Sequence, residues 1–313
     1  GIVGSEQPIQ MHFQAITLPH IRSQWSWAIA LIGNTNRQEQ LCLGPHGLKA
    51  GGKIQRSGLV FIVFALFWIG LNAHSGWVRY HESTGTRAYE SIRIPDELAL
   101  AEVNPAQWLS QSDRQNITVG KRHLGIANSI GIFNNSEALP KLAWVEYLSG
   151  NTDQAVKLLE KAASNQYGQG RALSLYYRGA ILNRLGRHEE AMASLDQALA
   201  TRSDLILARE EKGESLWQLG RKKEAITTWK DAVALNGRLV LANNLLAGAA
   251  ALQGDSGAAI AYEKQADQFT PADPFFHWMI GLRLQNVGMK ALAEKHFSRA
   301  IQLDPSIEYR RKS

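Results

Sequence analysis

The feature that most constrains the fold of this chain is a small-residue pattern that recurs through its C-terminal half. One glycine marks each period, and the spacing between successive glycines is 36 residues once and 34 residues three times. An alanine follows each glycine five residues later. The glycines are Gly150, Gly186, Gly220, Gly254 and Gly288, and the alanines are Ala155, Ala191, Ala225, Ala259 and Ala293. A fixed period held over five units predicts an array of structural repeats.

Each unit has the pattern of two short amphipathic helices joined by a turn. The glycine falls where the first helix should end, and a residue without Cβ closes a helix in the left-handed conformation without a steric penalty. The alanine falls early in the second helix, where a larger side chain would push the paired helices apart at a cost of roughly 1–3 kcal/mol. The pattern therefore predicts an all-α fold.

On these spacings the chain resembles the tetratricopeptide repeat (TPR) family, whose unit is a pair of helices with small residues at these places. The resemblance covers about residues 136–313 and implies five repeats. It also implies a TPR α-solenoid, a right-handed superhelix of helix pairs with a concave face.

A second signal is the apolar run from Ser57 to Ala73, within a stretch that carries no charged residue from Ser57 to Val78. Extending the run to Trp77 gives about the 20 residues that a membrane-spanning helix needs. We therefore predict a single transmembrane helix over residues 57–77. The alternatives are a buried core helix and a cleaved signal peptide, but the run has no polar face and more than fifty residues precede it.

The basic residues around this run favour one orientation. Lys49, Lys53 and Arg56 precede it closely, whereas Arg79 is the only close match after it. The positive-inside rule then leaves the N-terminus in the cytoplasm and places the repeats outside, in a periplasmic or other extracytoplasmic space. When basic residues are counted over a wider stretch on both sides of the run, the excess on the N-terminal side nearly disappears.

The remaining segments complete a four-part organisation: an irregular, flexible N-terminal region (1–56), the membrane helix (57–77), a helical connector (78–135) and the repeats (136–313). Within the connector, Asn104 and Pro105 favour a helix start. We expect one helix from there to about Gln115 and a second from about Val119 to Phe133, covering the open end of the array.

The sequence contains no catalytic or metal-binding constellation. Its single cysteine, Cys42, excludes an intramolecular disulfide, and its nine histidines have no metal-binding spacing. The Gly254-Asp-Ser-Gly string resembles the run around a serine nucleophile, but it falls on a repeat turn, where these residues serve the backbone. The net charge is +6, but the basic residues do not form a dense block in the sequence. We predict no enzyme activity, no cofactor, no metal and no nucleic-acid partner.

The resemblance implies that first-helix residues line a partner-binding groove. Glu210 and Glu214 lie four residues apart and should share a helix face. We expect the groove to bind a protein or peptide segment that is apolar, basic or both; the alternatives are that the aromatic residues only pack helix against helix and that the acidic pair is a solvated face. The predicted groove residues are Trp144, Tyr147, Tyr176, Asn183, Glu210, Glu214, Trp217, Asn244 and Trp278.

Together these features are similar to membrane-anchored TPR proteins of the bacterial type. The function they imply is a scaffold or assembly factor that binds a protein partner beside the bilayer. Two alternatives stay open: a structural subunit of a larger membrane complex, and the C-terminal span plus repeat module of a polytopic glycan-handling enzyme.

Overall fold

The computed structural model describes residues 49–50, 53–54, 56–131 and 137–308, with side chains from Leu59 onward. Most of the predicted irregular region, 1–56, lies outside the described residues. The chain divides into two compact units, residues 1–71 and 72–313, and each is described by itself.

The first unit contains a minimal strand pair and the beginning of a long helix. Strand β1 (Lys49–Ala50) pairs antiparallel with β2 (Lys53–Ile54), so the region predicted as irregular includes this short hairpin. Helix α1 (Arg56–Glu90) follows. Its apolar stretch is uncovered: ten large apolar side chains between Leu59 and Ile69 are 41–69% exposed.

Helix α1 is the one described helix that is long and apolar enough to cross a membrane. The predicted helix ended at residue 77, but α1 continues to Glu90 without a break. Its C-terminal part is held by packing that the sequence pattern did not reveal. A Cβ on Gly85 would lie 2.7 Å from Leu124 Cγ, and His81 Nδ1 lies 3.0 Å from His123 Nδ1.

The connector differs from the predicted pair of helices. Helix α2 (Asp96–Ala101) comes first, followed by a 3₁₀ helix (Pro105–Trp108) and α3 (Gln111–Ile130). The Asn104 side chain does cap a helix start, because it accepts a hydrogen bond from the Ala106 amide, but the helix that it caps is only the short 3₁₀ helix. A stronger capping box at Ser110 and Asp113 starts α3, which therefore runs through the predicted break at 115–119.

The repeats follow as five helix pairs, as the period predicted. Each first helix packs against its second helix, and the first three pairs also pack against the next repeat. The pairs are α4 (Ala138–Leu148) with α5 (Thr152–Asn165), α6 (Gly168–Arg184) with α7 (His188–Thr201), α8 (Ile206–Gln218) with α9 (Lys222–Leu235), α10 (Val240–Leu252) with α11 (Ser256–Asp267), and α12 (Pro274–Asn286) with α13 (Lys290–Leu303).

The turn glycines and the seams between paired helices explain the period. All five turn glycines have φ between +72° and +83°, which confirms their left-handed role. Within repeats, large side chains of the second helix press on small residues of the first. A Cβ on Gly213 would lie 2.1 Å from Trp229 Nε1, and one on Gly281 would lie 2.5 Å from Phe297.

Repeat four breaks this regularity. Ala259 is half-buried, whereas the matching alanines of the other repeats are buried. Glu263 stands where the other repeats place a large apolar residue, and it bonds with Lys295 of α13. Helix α11 makes almost no contact with α12, which packs instead on α10 and α2. The array therefore turns inward at its last repeat.

Candidate functional site

The candidate site is the inner surface formed by the first helices of the repeats. The nine residues predicted to line a groove do lie on these helices, and none of them is more than 7% exposed. In this structure these side chains are therefore buried, and their role in binding a partner stays a prediction. What covers them is another part of the same chain.

We call residues 94–109 the groove segment. Its helix α2 contacts α6 and α12, the first helices of repeats two and five. Four consecutive residues of α2, from Leu98 to Ala101, are at most 2% exposed. Successive residues of a helix point in different directions around its axis, so burial of all four means that protein surrounds the C-terminal part of α2, whereas Glu97 before them is exposed.

Side chains of the array bind the backbone of the groove segment. The Tyr147 hydroxyl lies 2.8 Å from the carbonyl oxygen of Ala99 and 2.9 Å from that of Glu102. Burial raises the pKa of Tyr147, which keeps this hydroxyl protonated and able to donate. From the other end of the array, Asn286 Nδ2 donates to the Ala101 carbonyl at 3.4 Å. These carbonyls lie at or just after the C-terminal end of α2, where backbone acceptors run short of helical donors; the Ala99 carbonyl also accepts from the Glu102 amide at 3.3 Å.

Aromatic contacts fix the two ends of the segment. Trp108 meets Trp278 edge-on, with ring centroids 5.9 Å apart, and its Nε1 donates to Glu102. At the other end, the Tyr177 hydroxyl donates to Asp96 at 2.9 Å. Trp278, one of the predicted groove residues, thus packs against its own chain.

The acidic residues Asp96 and Glu102 of the groove segment are partly buried and have little positive charge near them. Burial raises the pKa of Asp96 to about 6, against the lowering effect of the Tyr177 hydrogen bond, and Glu97 raises it further. Burial also raises the pKa of Glu102, and hydrogen bonds from Trp108 and Gln107 oppose this. No Lys or Arg forms an ion pair with either carboxylate among the described residues.

A buried charge network joins repeats two, three and five. Glu214 and Glu211 both bond Arg184 at 2.9 Å. On the other side Arg283 meets the same two carboxylates, its Nε lying 2.7 Å from Glu214 Oε1 and its Nη2 2.7 Å from Glu211 Oε1. Burial opposes charge on Glu211, but Arg283 and Arg184 together lower its pKa. Repeat three thus meets repeat five directly, past repeat four.

Glu210 stands apart from this network, although it lies on the same helix. Its Oε1 accepts a hydrogen bond from the Ala242 amide at 3.1 Å. Burial raises its pKa to about 7, Arg283 works against this, and the Glu214 and Glu211 charges add to it. Glu214 is already paired, and no Lys or Arg of the described residues forms an ion pair with Glu210, so the two carboxylates are not a free acidic surface for a basic segment.

The other predicted groove residues also have internal partners. Asn183 Nδ2 donates to Glu211 Oε2 at 3.0 Å, and Trp217 Nε1 donates to the Val287 carbonyl at 2.9 Å. Asn244 lies 3.1 Å from His296 Nε2. Trp144 and Tyr176 pack against Tyr177 with ring centroids 5.5 and 5.2 Å away. Binding of an external partner by these residues stays a prediction.

Sequence reasoning missed Glu211, Arg184 and Arg283. Their pairing joins residues up to 72 positions apart, and the repeat period carries no signal for contacts between non-neighbouring units. The ion pairs leave a cavity of about 200 Å³ beside Val103, lined by Arg184, His188 and Asn286 among others. Within the described residues, no group of three or more His, Cys, Asp or Glu side chains could hold a metal ion.

Comparison with protein families agrees with the helix pairs. A family model described as tetratricopeptide repeat matches residues 141–205 and 210–274. The array belongs to the tetratricopeptide repeat family. The matched regions extend from repeat one to the start of repeat five, so they include the first helices of repeats one to four and little of α12.

Several solved structures are similar to the TPR array. The crystal structure of MamA matches at 20% identity over 54% of this chain and 97% of MamA, with a TM-score of 0.39. The thermophilic TPR protein TTC0263 of Thermus thermophilus matches at 20% identity, over 56% of this chain and 95% of that protein (TM-score 0.44). The Cut9–Hcn1 hetero-tetramer of the APC/C matches at 19% identity, over 62% and 38% (TM-score 0.46). None of the curated proteins compared with this chain matches it significantly.

Proposed function

We propose that this protein is a membrane-anchored TPR scaffold that holds or assembles a protein partner beside the bilayer. The observation that carries the proposal is the uncovered apolar stretch of α1, joined through one connector to a TPR array. Ten large apolar side chains exposed along one helix are unfavourable in water and favourable in lipid. TPR arrays serve as protein-interaction scaffolds, and the residues of this array form no metal-binding group within the described chain.

We propose further that the array lies on the extracytoplasmic side. Lys49, Lys53 and Arg56 precede the apolar stretch, and basic residues beside a span are retained in the cytoplasm. The N-terminal region is then cytoplasmic, and the repeats face the periplasm or an equivalent space.

Two charges placed in the apolar stretch test the anchor. Leu66→Lys with Ile69→Lys puts two ammonium groups near the middle of the span, each costing roughly 2.5–3.5 kcal/mol in insertion. We expect this variant to leave the membrane fraction on alkaline extraction, while the wild type stays in it. Both side chains are more than 60% exposed, so the circular dichroism of the array should not change.

The matched control places the same two charges on exposed apolar residues outside α1. Val119→Lys with Leu235→Lys alters side chains that are 40% and 53% exposed, and it should stay in the membrane fraction. Equal extraction of wild type and the α1 variant would contradict the anchor.

The single native cysteine allows a direct test of orientation. A membrane-impermeant maleimide applied to intact cells should not label Cys42. In a Cys42→Ser background, Tyr167→Cys introduces a thiol on the array at a side chain that is 89% exposed, and this thiol should be labelled. The reverse labelling pattern would refute the extracytoplasmic placement without affecting the anchor.

A further inference from the structure

The groove segment occupies the array in the way a bound peptide would. Its contacts come from side chains of separate repeats: Tyr147 of repeat one, Tyr177 of repeat two, and Asn286 with Trp278 of repeat five. They act on backbone carbonyls, on one carboxylate and on one indole ring. This is the pattern of helix-in-groove recognition, in which an apolar helix fills a concave surface and a few polar contacts set its position.

The segment has little structure of its own. Helix α2 is six residues long, and its N-cap residue, Pro95, makes no side-chain capping bond. Isolated helices shorter than about 12–15 residues are marginal in water, so α2 is helical only while the array surrounds it. Short non-helical stretches connect α2 to the neighbouring helices, and in them Arg93 before α2 and Val103 after it are exposed.

Release of the segment requires part of the array to move away, and repeat five is the part least supported by regular packing. Helix α11 makes almost no contact with α12, whereas the earlier repeats pack second helix to first. What holds α12 inward is its set of cross-array bonds: Arg283 to Glu211 and Glu214, and Trp217 to the Val287 carbonyl.

The acidic residues of the segment set its chemistry. Asp96 accepts a hydrogen bond from the Tyr177 hydroxyl of the array, whereas Glu102 accepts one from Trp108 of the segment itself. The array's Glu211 and Glu214 are held by Arg184 and Arg283. The surface is thus matched to a short apolar helix with an acidic residue at its N-terminal end, and a basic helix would find Glu211 and Glu214 already paired.

We propose that the inner surface of the TPR array binds a short helical segment of a partner protein, in which an acidic residue precedes two leucine-like side chains, and that residues 94–109 are a resident competitor for that place. This inference deepens the proposed scaffold function by naming the chemistry of its partner. It does not depend on the orientation in the membrane.

The test uses the full chain in detergent micelles and a fluorescent peptide with the sequence of residues 93–109. Leu98→Asp with Leu100→Asp in the protein places two charges where both side chains are 2% exposed, and it should expel the resident segment. Because a tethered competitor acts at an effective concentration of about a millimolar, we expect this variant to bind the peptide at least about tenfold more tightly than the wild type does. A peptide carrying the same two aspartates is the matched control and should not bind either protein.

Equal affinity of wild type and variant for the peptide, or no binding by a variant whose circular dichroism shows a folded array, would overturn the proposal. Should the variant not fold, amide hydrogen exchange of the wild type decides. The proposal expects residues 98–102 to exchange at least about tenfold faster than α4 and α6, through a local opening. Amide exchange of residues 98–102, α4 and α6 at one common rate would refute the proposal. If the peptide experiment fails while the protein stays in the membrane fraction, only the proposed groove ligand is refuted. If the extraction experiment refutes the membrane anchor, the peptide result is unaffected.

Discussion

At the scale of single residues, the interior of the TPR array is organised by polar groups that have found partners within the chain. The family resemblance predicted that Tyr147 lines the groove, and in the structure this side chain is fully buried on the inner surface of the array. Its partners, the carbonyls of Ala99 and Glu102, were not predictable. They belong to a segment 45–48 positions away that shares no periodicity with the repeats.

Glu210 gives a pH-dependent prediction at this scale. Its pKa in the folded protein is raised to about 7, so its protonated form is favoured by folding. The stability it contributes is fully present below about pH 4.5 and is lost as the pH rises to about 7, a change on the order of 2–3 kcal/mol. Glu210→Gln keeps an acceptor for the Ala242 amide and removes the titration.

The free energy of unfolding, measured by urea titration from pH 5 to pH 8, should therefore fall more steeply for the wild type than for Glu210→Gln. The difference between the two profiles isolates Glu210 from Asp96 and Glu102, whose pKa values are also raised. Parallel profiles would contradict the burial argument.

At the scale of elements, the ten helices of the repeats could be predicted and the connector could not. A left-handed glycine recurs every 34 residues in the last four repeats, and a tight helix seam accompanies it in repeats two, three and five; both leave a direct sequence signal. Helix α2 leaves none, because it is one and a half turns long and is stabilised by its surroundings. The Asn104–Pro105 signal was read correctly as a cap, but the Ser110 capping box decides where the long helix α3 begins.

The seam of repeat three gives a second prediction. Gly213→Ala would place a Cβ against the fully buried ring of Trp229, and overpacking of this kind costs roughly 1–3 kcal/mol. We expect a matching loss in the free energy of unfolding. Gly125→Ala in α3 is the control, because no atom lies within 4 Å of its Cβ and alanine has the higher helix propensity.

Gly125→Ala should be neutral or slightly stabilising in the same assay. Equal effects of the two substitutions would show that the glycine in the seam is not required for close packing.

At the scale of the whole molecule, repeat five does not continue the stack but closes it, so the inner surface is an interior. The sequence has an acidic residue, Glu263, where the other repeats have the large seam side chain. It did not reveal the consequence, since the closing contacts between Arg283 and the two glutamates join repeats three and five.

Arg283→Met tests this closure. Removal of one partner from a buried ion-pair network leaves uncompensated charge and typically costs about 3–5 kcal/mol. We expect a loss of that size in the free energy of unfolding, together with faster amide exchange in α12. The control is Arg187→Met, which breaks an exposed pair with Glu190 and should have a small effect because surface pairs contribute little. Comparable losses from both would argue against a closed array.

The central claim is that residues 94–109 fill the inner surface of the TPR array, and thiol accessibility tests it most directly. In full-length protein with Cys42→Ser, Leu98→Cys places a thiol where the native side chain is 2% exposed, and Val103→Cys places one where it is 59% exposed, five residues further along. With a hydrophilic maleimide under native conditions, the thiol at 98 should react at least about tenfold more slowly than the thiol at 103. Equal reaction rates would show that the segment lies outside the array and would contradict the account.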